Sequence, residues 1–204
     1  RMGLEYVDIF YHHRPDPETP LEETMGTLAD IVRQGKALYV GLSNYSKQEA
    51  EKAVLLLKDM GVHCLIEQPR YNMFERTPED GLFKAMWEHG VGCICYSPLA
   101  QGALTDKYLN GIPQGSRASR VGTTINDRYL SEEKLDQIRR LNEIAVSRNQ
   151  SLAQMALAWV LREKAVTSVL IGASSVRQLE NSVQCLDHLE FSADELKAID
   201  EILK

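Results

Sequence analysis

Gly92-Cys93-Ile94-Cys95-Tyr96-Ser97-Pro98-Leu99-Ala100-Gln101-Gly102 is the stretch on which the architecture of this chain turns. Its first five residues read as a strand. A turn of small residues around one proline comes next, with an aromatic ring at the junction. Such a turn aims main-chain amides at an anion, and in barrels it sits at the C-terminal end of a parallel strand. A second small-residue turn, Gly172-Ala173-Ser174-Ser175, comes after the last strand signal in the chain.

On both sides of this stretch, strand and helix signals alternate. Strands are expected at residues 5–11 (Glu5-Tyr6-Val7-Asp8-Ile9-Phe10-Tyr11), 37–41, 64–67, 92–96 and 167–171. Helices are expected at 20–34, with Thr19 as cap and Pro20 in the first position, and at 47–60 behind Ser46. Others are expected at 78–89, from 131 to 148, behind Ser151 to 163, at 176–186, and behind Ser192 at 193–203. Gly35, Gly61 and Gly90 stop three of them. Residues from 103 to about 129 read as a long polar loop.

Five strand–helix units in strict alternation mean a parallel sheet with crossover helices. No glycine-rich dinucleotide fingerprint comes after any strand, so a Rossmann reading has no support. Two architectures stay open: a doubly wound open sheet, or part of an eight-stranded barrel. Two features favour the barrel. Polar residues of chemical interest lie just past the ends of all five strands, and the last two strand-end loops are those rich in Gly and Ser, as a phosphate site after strands seven and eight requires. The expected fold is therefore an α/β (β/α)8 TIM barrel, of which residues 1–204 are one domain carrying strands four to eight. Strands one to three are then absent. Five strands cannot close a barrel, so the chain reads as a piece of a larger protein. An abrupt change of sequence at Arg120-Val121 leaves room for a deletion there.

Composition narrows the function classes. Of 204 residues, 44% are hydrophobic and 25% charged, as in an ordinary soluble domain. A net charge of −6 argues against nucleic acid or an anionic membrane as partner. Cys64, Cys93, Cys95 and Cys185 show neither zinc spacing nor a CxxC pair, and read as buried small hydrophobes in a reducing cytosol. Nothing approaches a membrane span or a signal peptide. The expectation is a cytoplasmic protein with a small-molecule partner, no metal cluster and no membrane insertion. Oligomeric state stays open, a homo-oligomer included.

His12-His13 lie directly after the first strand, and one of the pair faces the sheet interior, where an imidazole can orient a carbonyl or tune a proton donor. Ser43, Asn44 and Gln68 end the next two strands. They carry the donors and acceptors that hold a planar carboxamide, although loop capping uses the same residues. Tyr96 offers a stacking face. Between Gln101 and Arg128, Lys107, Arg117, Arg120 and Arg128 stand against Asp106 and Asp127, a local positive excess that suits an anionic ligand.

The blocks Tyr6-Val7-Asp8-Ile9-Phe10-Tyr11-His12-His13-Arg14-Pro15-Asp16, Gly35-Lys36-Ala37-Leu38-Tyr39-Val40-Gly41-Leu42-Ser43-Asn44-Tyr45, Tyr96 to Gly102 and Val169-Leu170-Ile171-Gly172-Ala173-Ser174 together resemble the aldo-keto reductases. Within that family they are most similar to bacterial L-glyceraldehyde 3-phosphate reductases and potassium-channel β subunits. The resemblance spans essentially the whole chain. It implies NADP(H) lying across the barrel mouth and hydride transfer to a small aldehyde or ketone, with His13 as the catalytic histidine. It implies Ser43, Asn44 and Gln68 on the nicotinamide carboxamide, Tyr96 stacked on the ring, and Ser97, Pro98, Leu99, Ala100 and Gln101 along the pyrophosphate. Lys107, Arg117, Gly172, Ala173, Ser174 and Gln178 fall where the family grips the adenosine phosphate. Asn181-Ser182 stand where relatives carry Glu-Asn for the adenine. The family's tyrosine, lysine and aspartate lie upstream of Arg1, which implies that the 204 residues alone are inactive. The alternative reading is an NADPH-binding regulatory subunit like the channel β subunits. Those typically carry asparagine where this chain has His13, which favours the enzyme.

Overall fold

The structure, a computed structural model, describes residues 3–116, 118–120 and 122–204. The anion contact expected at Arg117 and the deletion expected beside Val121 lie outside the described residues.

In chain order the elements are β1 (Val7–His12), α1 (Leu21–Arg33), β2 (Ala37–Ser43), α2 (Lys47–Asp59), β3 (Cys64–Gln68), α3 (Leu82–Glu88), β4 (Gly92–Cys95), α4 (Ile125–Tyr129), α5 (Glu132–Ser147), α6 (Leu152–Leu161), β5 (Val166–Val169), α7 (Val176–Val183) and α8 (Ala193–Ile202). The five strands form one sheet in the order β1-β2-β3-β4-β5. The first three neighbouring pairs run parallel. A doubly wound sheet reverses its strand order at a switch point; this one never reverses. Right-handed crossovers between successive neighbours put α1, α2 and α3 on one face of the sheet. That is the winding of a barrel segment.

Local chemistry explains most boundaries. Ser46, Ser151 and Ser192 cap α2, α6 and α8, and each closes a reciprocal box with the residue three positions on. Thr19 does not cap α1 as the sequence suggests. Its hydroxyl donates to Asp16 Oδ2 at 2.8 Å, so Pro20 takes the N-cap position and the helix begins at Leu21. The helix expected at 78–89 breaks at Gly81, whose φ of 108° leaves a 3-10 turn at Thr77–Glu79 before α3. The polar loop after residue 103 contains α4, which buries Ile125 and Tyr129. One i,i+4 apolar pair is too short a pattern to stand out in sequence.

Packing divides the chain into two compact units. The first holds residues up to Arg70, Thr77–Tyr96 and Ala165–Ser168. There α1 buries Met25, Leu28 and Ala29, and α2 buries Ala50, Ala53 and Leu57. Val40 and Leu42 of β2 have no exposed surface. The second unit holds Tyr71–Arg76, Ser97–Lys164 and Val169–Lys204. Its axis is α6, buried almost all round, with the Trp159 indole stacked on Tyr71 at 5.3 Å. All four cysteines are buried.

Candidate functional site

The first unit brings the tips of β1, β2, β3 and β4 to one end, because parallel strands in register end on the same side. Asn44, one residue past β2, joins them. Its Nδ2 donates to the His13 carbonyl at 2.9 Å and to Ser43 Oγ at 2.9 Å, and its Oδ1 accepts from the Tyr96 hydroxyl at 2.7 Å. Ser43 Oγ in turn donates to the Gln68 carbonyl at 2.8 Å. Asn44 reaches this arrangement in the left-handed region, at φ 61°, which asparagine tolerates better than other side-chain-bearing residues.

Behind these tips the strand spacing is set by Gly41. A Cβ there would meet the Tyr11 ring at 2.7 Å, so the glycine lets that ring lie flat across β2. Burial pushes the Tyr11 phenol up in pKa, and a hydrogen bond from the Gln68 side chain acts the other way.

Of the two histidines, His12 ends β1 and His13 lies just beyond it, exposed. His12 turns to the other face, where its Nδ1 meets the Tyr45 hydroxyl at 2.6 Å. Burial lowers its pKa, partly opposed by Asp16. His13 shares strand parity with Tyr11, so it belongs to the Gln68 side of the sheet. Tyr96 is half-buried, with the Arg70 guanidinium 5.3 Å from its ring centroid and its main-chain N–H on the Pro69 carbonyl at 3.0 Å. The sequence alone assigns Arg70 no role.

The second unit carries the small-residue turn. Ser97, Ala100 and Gln101 all have positive φ, at 54°, 47° and 59°. With Asn44 they are four of the five non-glycine residues in that region among those described. Such strain persists only where surroundings enforce it, and it gathers at functional sites. Asn72 braces the Ser97 end of the turn. Its side chain is fully buried, donates to the Ser97 carbonyl at 3.0 Å, and accepts from the Phe74 and Glu75 amides. Asn72 is a site-building residue to which the sequence alone assigns no task.

Lys107 is exposed beside a shallow concavity that Asp106, Asn110 and Pro113 also line. At the start of α7, Ser175 caps the helix, while the Ser174 amide and hydroxyl both donate to Gln178 Oε1, at 2.8 and 3.0 Å. Gly172 and Ala173 are exposed just before them. The Asn181 amide is taken up by Ser151 and Gln154 on α6, and Ser182 is buried. No group of three or more metal-capable side chains occurs among the described residues. No described helix is long and apolar enough to cross a membrane.

The model of the aldo/keto reductase family matches residues 1–204. The chain is 53% identical to the L-glyceraldehyde 3-phosphate reductase of Escherichia coli K12, covering 98% of this chain and 59% of that protein. It is 37% identical to a putative voltage-gated potassium channel subunit beta of Schizosaccharomyces pombe, covering 100% of this chain and 61% of that protein. Among solved structures, the thermostable aldo-keto reductase Tm1743, in complex with the inhibitor epalrestat, superposes with a TM-score of 0.71 at 30% identity. That match covers 97% of this chain and 60% of the other. The chain thus spans about three-fifths of the length of the relatives it matches, and its α/β fold is part of a (β/α)8 barrel.

Proposed function

This chain belongs to the aldo/keto reductase family, and we propose that the protein is an NADPH-dependent reductase of small aldehydes or ketones. The observation that carries the reading is the Asn44 junction, a strained asparagine tying together residues from three strand tips. A cofactor carboxamide fits the hydrogen-bonding capacity left over. Asn44 spends both amide hydrogens on His13 and Ser43, so it offers the carboxamide only its remaining carbonyl lone pair. Ser43 spends its hydrogen on Gln68. The donor to the carboxamide oxygen is therefore the Gln68 side chain, which also bonds Tyr11.

When bound, the nicotinamide supplies hydride to the carbonyl carbon. Tyr96 gives its ring a stacking surface, clamped at one end by Asn44 and at the other by its own main-chain bond to Pro69. The turn at Ser97, Pro98, Leu99, Ala100 and Gln101 receives the pyrophosphate, its Ser97 end braced by Asn72. Lys107, Ser174 and Gln178, with Gly172 and Ala173, receive the adenosine phosphate, which selects NADPH over NADH. Asn181 and Ser182, which stand where relatives carry Glu-Asn, are tied to Ser151 and Gln154 or buried, so the adenine is gripped differently there. His13 orients the substrate carbonyl and tunes its proton donor. We assign the proton donor to the part of the whole protein outside the matched three-fifths. Four buried cysteines with neither zinc spacing nor a CxxC pair suit a reducing compartment, and we place the protein in the cytoplasm.

The test is turnover of methylglyoxal and glyceraldehyde 3-phosphate by the full-length protein, monitored by NADPH oxidation. The expected result is steady-state reduction that falls by roughly 10²-fold or more in kcat/KM on His13→Ala. NADPH binding without turnover of any aldehyde would replace the reading with that of a regulatory subunit.

A further inference from the structure

Glu67 is a buried carboxyl group faced by one main-chain amide and no charged partner. It has no exposed surface, and neither of its oxygens has a hydrogen-bond partner of full geometry. Burial raises its pKa, and the Tyr45 main-chain amide facing it draws the value back a little. An unpartnered buried carboxyl is costly, and a charged one far more so.

Its location gives it a consequence. On β3 it pairs with Leu42 and Cys93, and strand parity puts it on the face opposite Gln68. Tyr45 lies on that same side, 4% exposed, with its hydroxyl on His12 Nδ1. His12, Tyr45 and Glu67 are each one peptide away from His13, Asn44 and Gln68 in turn. His13, Asn44 and Gln68 thus each have a chain neighbour in one cluster behind the sheet, in which Tyr45 and Glu67 are buried and His12 is half-buried.

We propose that Glu67 is a positioning residue: held neutral behind the sheet, it keeps the β3 tip and the Asn44-Tyr45 turn in the arrangement that binds the carboxamide, and a charge on it releases that arrangement. The proposal rests on the cofactor reading above. The groups that feel a charge on Glu67 are the Tyr11 phenol on β1, the Tyr45 phenol after β2 and the Cys64 thiol on β3. Beyond them, Glu49 of α2 faces Tyr45, and Asp16 and His13 face His12. Burial raises both phenols and pushes Cys64 up to about 12, so these three are neutral at pH 7 and compensate no charge. Burial likewise pushes Glu67 up to about 8. The neutral form is complete well below that value and is lost as pH rises through it. Cofactor affinity should decline with it.

The experiment is the dissociation constant of NADPH for the full-length protein between about pH 6.5 and 9.5, in the natural sequence and in Glu67→Gln. The expected result is about tenfold weaker binding at pH 9 than at pH 7 in the natural sequence, and less than about twofold change in Glu67→Gln. By reciprocity NADPH must raise the Glu67 pKa, so binding near pH 8 should take up about half a proton, read by calorimetry in buffers of different ionisation enthalpy. That reading needs no variant, and it decides the matter if Glu67→Gln fails to fold. An alkaline weakening that persists in Glu67→Gln, or binding with no proton uptake near pH 8, overturns the proposal alone. Absence of NADPH binding at every pH removes the cofactor reading and this proposal with it.

Discussion

The Tyr96 hydroxyl donates to Asn44 Oδ1 at 2.7 Å, joining the end of β4 to the end of β2 across 52 residues of sequence. The bond does two things. It fixes the ring that the cofactor stacks upon, and it uses one of the two lone pairs that Asn44 has for the carboxamide. Tyr96→Phe keeps the stacking face and frees the asparagine. NADPH affinity should fall roughly threefold to tenfold, the worth of one hydrogen bond. A loss beyond about a hundredfold in an isothermal titration would mean that the hydroxyl touches the cofactor itself.

Asn44 also tests how much conformational strain the site carries. Asn44→Gly and Asn44→Ala both delete the side-chain bonds, but only glycine adopts φ 61° freely. The alanine variant should be less stable than the glycine variant by about 1 kcal/mol in denaturant unfolding. Equal stabilities would show that the backbone relaxes there without cost.

Gly41→Ala places a methyl group 2.7 Å from the Tyr11 ring and 3.1 Å from Ile66 Cγ2. The ring has to move, and the Gln68 side chain it bonds moves with it. We expect a loss of about 1–3 kcal/mol in stability, typical of overpacking, together with weaker NADPH binding. Unchanged binding despite lost stability would separate Tyr11 from the carboxamide contacts.

In the second unit, Arg148 is the tie for α8. Its side chain is 1% exposed, pairs with Glu195 at 2.8 Å, donates to Gln150 Oε1 and the Glu190 carbonyl, and lies 3.8 Å over the Phe191 ring. Arg148→Ala should cost about 3–5 kcal/mol, and hydrogen exchange should show the loss first in α8. Burial raises the Glu195 carboxyl, but the Ser192 amide and Arg148 outweigh it and hold the group below its ordinary value. Its stabilising contribution is therefore present above the ordinary glutamate pKa and disappears as pH falls through the lower folded value. Glu195→Gln should flatten that acid limb of the stability curve.

Much of this is legible in the sequence. Alternation of strand and helix signals points to the parallel sheet, and the serines at 46, 151 and 192 announce three helix starts because N-capping is a local interaction. Thr19 looks equally convincing but has a nearer partner in Asp16. Ser43, Asn44, Gln68 and Tyr96 can be named as candidates from the blocks around them. Their wiring cannot, because the bonds of Asn44 span 31 and 52 residues. Asn72 and Arg70 are hidden for the same reason, acting on Ser97 and Tyr96 through the fold. Glu67 is invisible for another: in a short strand a buried glutamate and a solvent-facing one are written alike, and only burial tells them apart.

Whether these strand tips hold a nicotinamide nucleotide is decided by titrating the full-length protein with NADPH and reading the quenching of intrinsic fluorescence. The natural sequence is compared with an Asn44→Ala/Gln68→Ala double variant. Saturable one-site binding, at least about a hundredfold weaker in the double variant, is what the geometry requires. Absence of saturable binding, or equal binding by both proteins, would refute the assignment.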